Sequence, residues 1–144
     1  MSDAQAQSAP RRIAFSFPAT PASISDVRHL VTAEARTLPF TPREIEDIEL
    51  AVSEAFTNLV QHAGGYRIRG VCEVTERQLE IRLEVDQSLA RHLHKTALPS
   101  ATAFGGRGIP LLHLLIPTVE ICRHANGSSE LRMVKPVTIE REKS

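Results

Sequence analysis

The sequence predicts an α+β fold: a two-layer sandwich in which a mixed, mostly antiparallel sheet carries about three helices on one face. Three observations lead there. Strand-like runs come in neighbouring pairs joined by short polar turns. Segments with helical period lie between them without strict alternation. The chain has 144 residues, which is room for one core, since a domain takes roughly 100 to 200. Residues 1–10, rich in Ala, Gln and Ser, read as a disordered tail, and residues 11–144 as a single domain.

The elements follow in order. Arg12 to Phe17 alternates Ile13, Phe15 and Phe17 with smaller or polar residues, as a half-buried strand does. After Pro18 and Pro21, Ser23 or Ser25 can cap a helix carrying Ile24, Val27, Leu30 and Val31, which ends at the break at Pro39. Thr41-Pro42 with Glu44 is a capping box with proline in the first helical position. From it a long helix runs through Ile45, Ile48, Val52, Ala55, Phe56, Leu59 and Ala63 to Gly64 and Gly65.

Arg67 to Thr75 and Leu79 to Val85 read as an antiparallel hairpin across a turn at Glu76, Arg77 and Gln78. Asp86 to Gly106 has no period and is longer than a compact domain usually leaves unstructured, as lids often are. Gly108 opens an apolar helix reaching Pro117. Val119 to Arg123 and Ser129 to Val134 form a second hairpin around Asn126 and Gly127.

Composition narrows the function classes. Apolar residues make 42% and charged residues 24%, so the chain should fold. Lys plus Arg and Asp plus Glu both number 17, so there is no net positive field to gather nucleic acid or a membrane surface. Cys72 and Cys122 lie in strand-like runs and read as buried thiols of a reduced compartment. Neither a signal-like start nor an apolar run of about 18 residues is present, and a cytoplasmic protein is expected.

Two constellations can carry chemistry. At about 100° per residue, Glu54 and Asn58 share a helix face that Val52, Phe56, Leu59 and Ala63 avoid. A carboxylate beside an amide oxygen suits a proton acceptor next to a hard cation. A plain solvated face would look the same. Phe104-Gly105-Gly106-Arg107-Gly108 precedes a helix, where bare amides and a positive helix end can hold phosphate oxygens. Arg107 could pair with a phosphate in a bidentate way. A tight turn without a ligand is the alternative. His92, His94 and Lys95 could touch phosphate, but the histidines lack a third metal ligand at a familiar spacing and read as a solvated loop. His62 either closes the long helix at its negative pole or faces the pocket mouth.

With those residues in place, the chain resembles the bacterial anti-sigma-factor serine kinases, members of the GHKL ATPase superfamily. Glu54-Ala-Phe-Thr-Asn58-Leu-Val-Gln-His62 looks like their N-box, and Gly105-Gly-Arg-Gly108-Ile like their second glycine box. The likeness runs from about residue 12 to 135 in element order. It implies a Bergerat-type, histidine-kinase-like ATPase sandwich that binds ATP and Mg²⁺. Asn58 would hold the metal, Glu54 would act as base on a partner's serine or threonine hydroxyl, and Asp86 would read the adenine amino group. Gly105, Gly106, Arg107 and Gly108 would hold phosphates.

The implied partners are an anti-anti-sigma-type protein, which would be phosphorylated, and a sigma factor; a homodimer is left open. Where the family follows the aspartate with the order any, Gly, any, Gly, this chain has Gln87, Ser88, Leu89 and Ala90. Bulkier residues there narrow the space beside base and sugar. A second reading is therefore a protein-binding switch module of the same fold without catalysis.

Overall fold

The computed structural model describes residues 10–63, 66–86, 108–124 and 129–138, with the side chains of Ala63, residues 108–111 and Arg123 excepted. The elements are β1 (Arg11–Pro18), α1 (Pro21–Ala35), α2 (Pro42–Ala63), β2 (Arg67–Val74), β3 (Gln78–Asp86), α3 (Gly108–Leu115), β4 (Thr118–Arg123) and β5 (Ser129–Pro136). They form a five-stranded sheet in the order β1-β2-β3-β5-β4, antiparallel at each pairing. The expected tail, the Gly64-Gly65 helix stop, the lid after Asp86 and the Asn126-Gly127 turn lie outside the described residues.

Alternation along each strand decides which face is covered. In β3, Leu79, Ile81, Leu83 and Val85 are buried, while Glu80, Arg82, Glu84 and Asp86 between them are only partly so. The matching set on β2 is Ile68, Gly70, Cys72 and Val74, and on β5 it is Leu131 and Met133. These residues meet Val27 and Val31 of α1, Ile48, Val52, Phe56 and Leu59 of α2, and Leu112 of α3 in one core. Each buried Val, Leu, Ile, Phe or Met side chain among them contributes about 1.5–3 kcal/mol by leaving water. The three helices lie side by side on this face, α1 near β1 and β2, α2 over β3, and α3 near β4. The opposite face carries no helix of the described residues.

Helix ends explain the register of the layers. The α2 capping box forms as the sequence suggests: the Thr41 amide donates to Glu44 Oε1 at 2.8 Å, and the Glu44 amide donates to Thr41 Oγ1 at 3.1 Å. At α1 the expectation needs correcting. The helix begins at Pro21 with Thr20 at the cap position, in extended conformation and without a side-chain cap bond; Ser23, inside the first turn, is buried. Proline's fixed φ starts a helix without needing its missing N–H, so Pro21 places the start two residues before the first serine.

The α1 helix also stops earlier than the Pro39 break, at Ala35. There Thr37 Oγ1 donates to the Glu34 carbonyl at 2.7 Å, and Arg11 of β1 binds Glu34 Oε1 at 2.6 Å and Thr37 Oγ1 at 3.1 Å. The β2–β3 turn is held by Thr75, whose hydroxyl accepts the amides of Arg77 and Gln78, each at 3.1 Å.

Candidate functional site

The long helix α2 is the element on which the candidate site is built. Its 22 residues are nucleated by the Thr41–Glu44 box and fastened to the sheet through Ile48, Val52, Phe56 and Leu59, each fully buried. Because these residues recur on one side, the turn between them turns its remaining positions outward. Glu54 and Asn58, four apart on adjacent turns, are both partly buried and stand beside Ser53 and Thr57, which have the same intermediate exposure. The predicted pair is thus on the edge of the core and reachable. Asn58 engages in a polar interaction in this state.

Two neighbours bracket the helix. On one side α2 packs over β3, the central strand whose last residue is Asp86; on the other it packs against α3, whose first residue is Gly108. The helix that carries Glu54 and Asn58 thus packs against α1 and α3 and over the strand that ends at Asp86. Gly105, Gly106 and Arg107 lie outside the described residues, as do His92, His94 and Lys95. His62 is exposed in the last turn of α2, where a cation is favoured by the negative helix end.

One placement concerns Asp86. In β3 the helix-side position nearest the strand end belongs to Val85, which is 5% exposed, and alternation turns Asp86 to the other face. Asp86 pairs in register with Arg67 and has a polar interaction of its own. Asp86 is named from the family resemblance; period-2 counting from Leu79 puts Val85 on the helix-side face and Asp86 on the opposite one.

The sheet's other face holds a run of charges. Glu73 and Glu80, directly opposite each other, share Arg82, at 3.5 and 3.4 Å; Arg132 then joins Glu80 and Glu120, at 3.0 Å each. The hydrogen bond to Glu80 is the main reason the Arg132 guanidinium is held even more firmly protonated than usual. Such solvent-facing pairs, though partly buried, contribute little each, about 0–1 kcal/mol at the exposed limit. No helix among the described residues is long and apolar enough to cross a membrane.

Comparison with known proteins agrees with this architecture. The family model for the histidine kinase-like ATPase domain matches residues 17–135. The serine-protein kinase RsbW of Bacillus velezensis is 32% identical over 142 residues, covering 90% of this chain and 88% of its own. The protein of the same name from Bacillus pumilus is 32% identical over 144 residues, covering 90% and 88%. That from Bacillus subtilis is 29% identical over 127 residues, covering 78% and 79%. Among solved structures, the RsbU and RsbW domains of Rv1364c from Mycobacterium tuberculosis superpose with a TM-score of 0.62 at 15% identity. That match covers 87% of this chain and 32% of the longer one, and at this identity it speaks for the fold. With the matched model spanning most of the sheet and all three helices, the chain belongs to the histidine kinase-like ATPase family, in the branch of the anti-sigma-factor serine-protein kinases.

Proposed function

We propose that the chain is an anti-sigma-factor-type kinase that binds ATP with Mg²⁺ and phosphorylates a serine or threonine of an anti-anti-sigma-type antagonist, capturing a sigma factor when that antagonist is unavailable. The observation that carries this reading is the position of Glu54 and Asn58, on adjacent turns of α2 and outside its buried stripe, on a helix that packs against both β3 and α3. The relatives' shared name, serine-protein kinase, supports the reaction class.

In this reading the Asn58 amide oxygen would be one ligand of a Mg²⁺ ion that neutralises phosphate charge when bound, a hard-donor match for that ion. Glu54, a turn away, takes the proton of the attacking hydroxyl. Phosphoryl transfer asks chiefly for positioning and charge neutralisation, so one base, one metal-holding amide and a phosphate-binding helix start form a sufficient set. Gly108 with Gly105, Gly106 and Arg107 would supply the last of these, and Asp86 the contact to the base.

A second reading has specific support. Val85 occupies the helix-side position at the strand end, and Asp86 is followed by Gln87-Ser88-Leu89-Ala90 in place of glycines. Both features suit a module that grips protein partners through the same fold without turning over ATP. Calorimetry with Mg²⁺-ATP on the wild type and on Asn58→Ala separates the two. Binding that disappears in the variant upholds the kinase; no heat from the wild type at high ATP leaves the binding module.

A further inference from the structure

We infer that the helix-free face of the sheet carries a binding site for a divalent transition-metal ion of the zinc class, formed by Glu84 of β3, Glu130 of β5 and His124 at the end of β4. One ligand atom from each of these three residues lies within 4.8 Å of the others. The fold brings them together from the adjacent strands β3 and β5 and from the residue that follows β4. Glu84 and Glu130 are direct register partners across β3 and β5, and His124 Nε2 stands 3.4 Å from Glu130 Oε1. Both carboxylates are about four-fifths buried, whereas the imidazole is more open.

Like charges set directly opposite each other on neighbouring strands destabilise a sheet. The other acidic pair on this face, Glu73 and Glu80, is reconciled by Arg82 between them. The Glu84–Glu130 pair is flanked differently. Arg69 reaches Glu84 Oε1 at 3.4 Å from the β2 side, and on the β4 side the neighbour is an imidazole, a metal ligand when neutral.

The donor chemistry selects the ion. Imidazole nitrogen with carboxylate oxygens fits zinc and its neighbours better than magnesium, which prefers oxygen and water in a strict octahedron. Three protein ligands with water in the fourth position is a tetrahedral zinc arrangement. The face is also indented. A depression of about 300 Å³, lined by Arg12, Arg69 and Arg82 as well as by Glu84 and Glu130, borders the two carboxylates. Bound there, the ion would tie the edge hairpin β4–β5 to the central strand, on the side of the sheet away from Glu54 and Asn58.

The test is titration of the metal-free full chain with Zn²⁺ by calorimetry, and with Co²⁺ followed by its visible absorption. Parallel titrations use His124→Ala and Glu130→Gln, each checked for its fold by circular dichroism. The expected result is one equivalent of Zn²⁺ bound, a tetrahedral Co²⁺ spectrum, and affinity lowered roughly tenfold or more in both variants, as loss of metal-site partners does. A Zn²⁺-dependent rise in melting temperature should accompany binding in the wild type and shrink in His124→Ala. Stoichiometric binding that persists undiminished in His124→Ala would assign the ion to other histidines and overturn the inference, as would absence of binding by the wild type. ATP plays no part in these readouts, so their failure leaves the kinase reading untouched.

Discussion

The ring of Phe15 occupies the space in which a side chain on Gly70 would stand. The two residues are register partners across β1 and β2, and a Cβ on Gly70 would overlap Phe15 Cε1 and Cζ while approaching the Arg82 carbonyl oxygen to 3.0 Å. Phe15 is itself held against Phe17, with ring centroids 5.8 Å apart, and is almost wholly buried. Glycine is required at this position because an aromatic ring lies over its backbone, and its φ plays no part.

Gly70→Ala should therefore cost about 1–3 kcal/mol, the range for overpacking a filled core. Combining it with Phe15→Leu should recover part of that loss, so that the two changes together cost less than their sum. Urea unfolding midpoints of the two single variants and the double variant measure the coupling. Strict additivity would mean that the ring moves aside freely.

Thr41→Ala removes the hydroxyl that accepts the Glu44 amide and leaves the reciprocal bond from the Thr41 amide to the Glu44 carboxylate. The loss should be about 1 kcal/mol, typical of an N-cap truncation. Because Glu54 and Asn58 sit more than three turns further along, nucleotide binding should be unchanged at temperatures well below melting. Thermal unfolding and Mg²⁺-ATP calorimetry on one preparation check both halves of this expectation.

Glu54→Gln should lower phosphotransfer to the antagonist by roughly 100- to 10,000-fold, the usual contribution of a general base. Affinity for Mg²⁺-ATP should stay as it is, because the amide keeps the size of the carboxylate and, in the proposed mechanism, the metal-holding oxygen is that of Asn58. Asn58→Ala should instead lose the nucleotide. Radiolabel transfer read beside binding shows whether rate and affinity separate in this way. Equal phosphotransfer in Glu54→Gln would remove the base from the mechanism.

Cys72 provides a test of burial by pH. Burial, and to a smaller extent the Glu34 carboxylate, pushes its thiol up to about 12 from an ordinary value of 9.0, with Arg11 opposing. Above pH 9 the unfolded chain loses this proton while the folded chain keeps it, so the unfolded state binds fewer protons and stability falls as pH rises. The thiol's contribution is complete below pH 9 and is lost between about 9 and 12. Cys72→Ala should flatten the decline over that window relative to wild type. In the native protein at pH 8, a thiol reagent should modify the partly exposed Cys122 and spare Cys72. Rapid modification of both would show that the sheet opens around β2.

Much of this protein was legible in its sequence because the signals are local. The α2 helix announces itself through Thr41, Pro42, Glu44 and an apolar stripe at helical spacing, and the structure returns that capping box bond for bond. The two hairpins follow from alternation and turn residues, and Glu54 and Asn58 can be put on one helix face by arithmetic alone. The start of α1 was misplaced because serine is a good cap in general, while Pro21 fixes the backbone one residue after Thr20.

Tertiary structure alone decided the rest. The strand order β1-β2-β3-β5-β4 and the packing of α2 against α1, α3 and β3 belong to it, and no local pattern encodes which elements become neighbours. The same pairing lays Phe15 over Gly70 and brings Glu84, Glu130 and His124 within ligand distance of one another, across sequence separations that periodicity does not span. Periodicity reports which residues leave water, since burial of apolar surface drives collapse without direction. Which polar groups then meet depends on register, fixed by backbone hydrogen bonds between strands far apart in the chain.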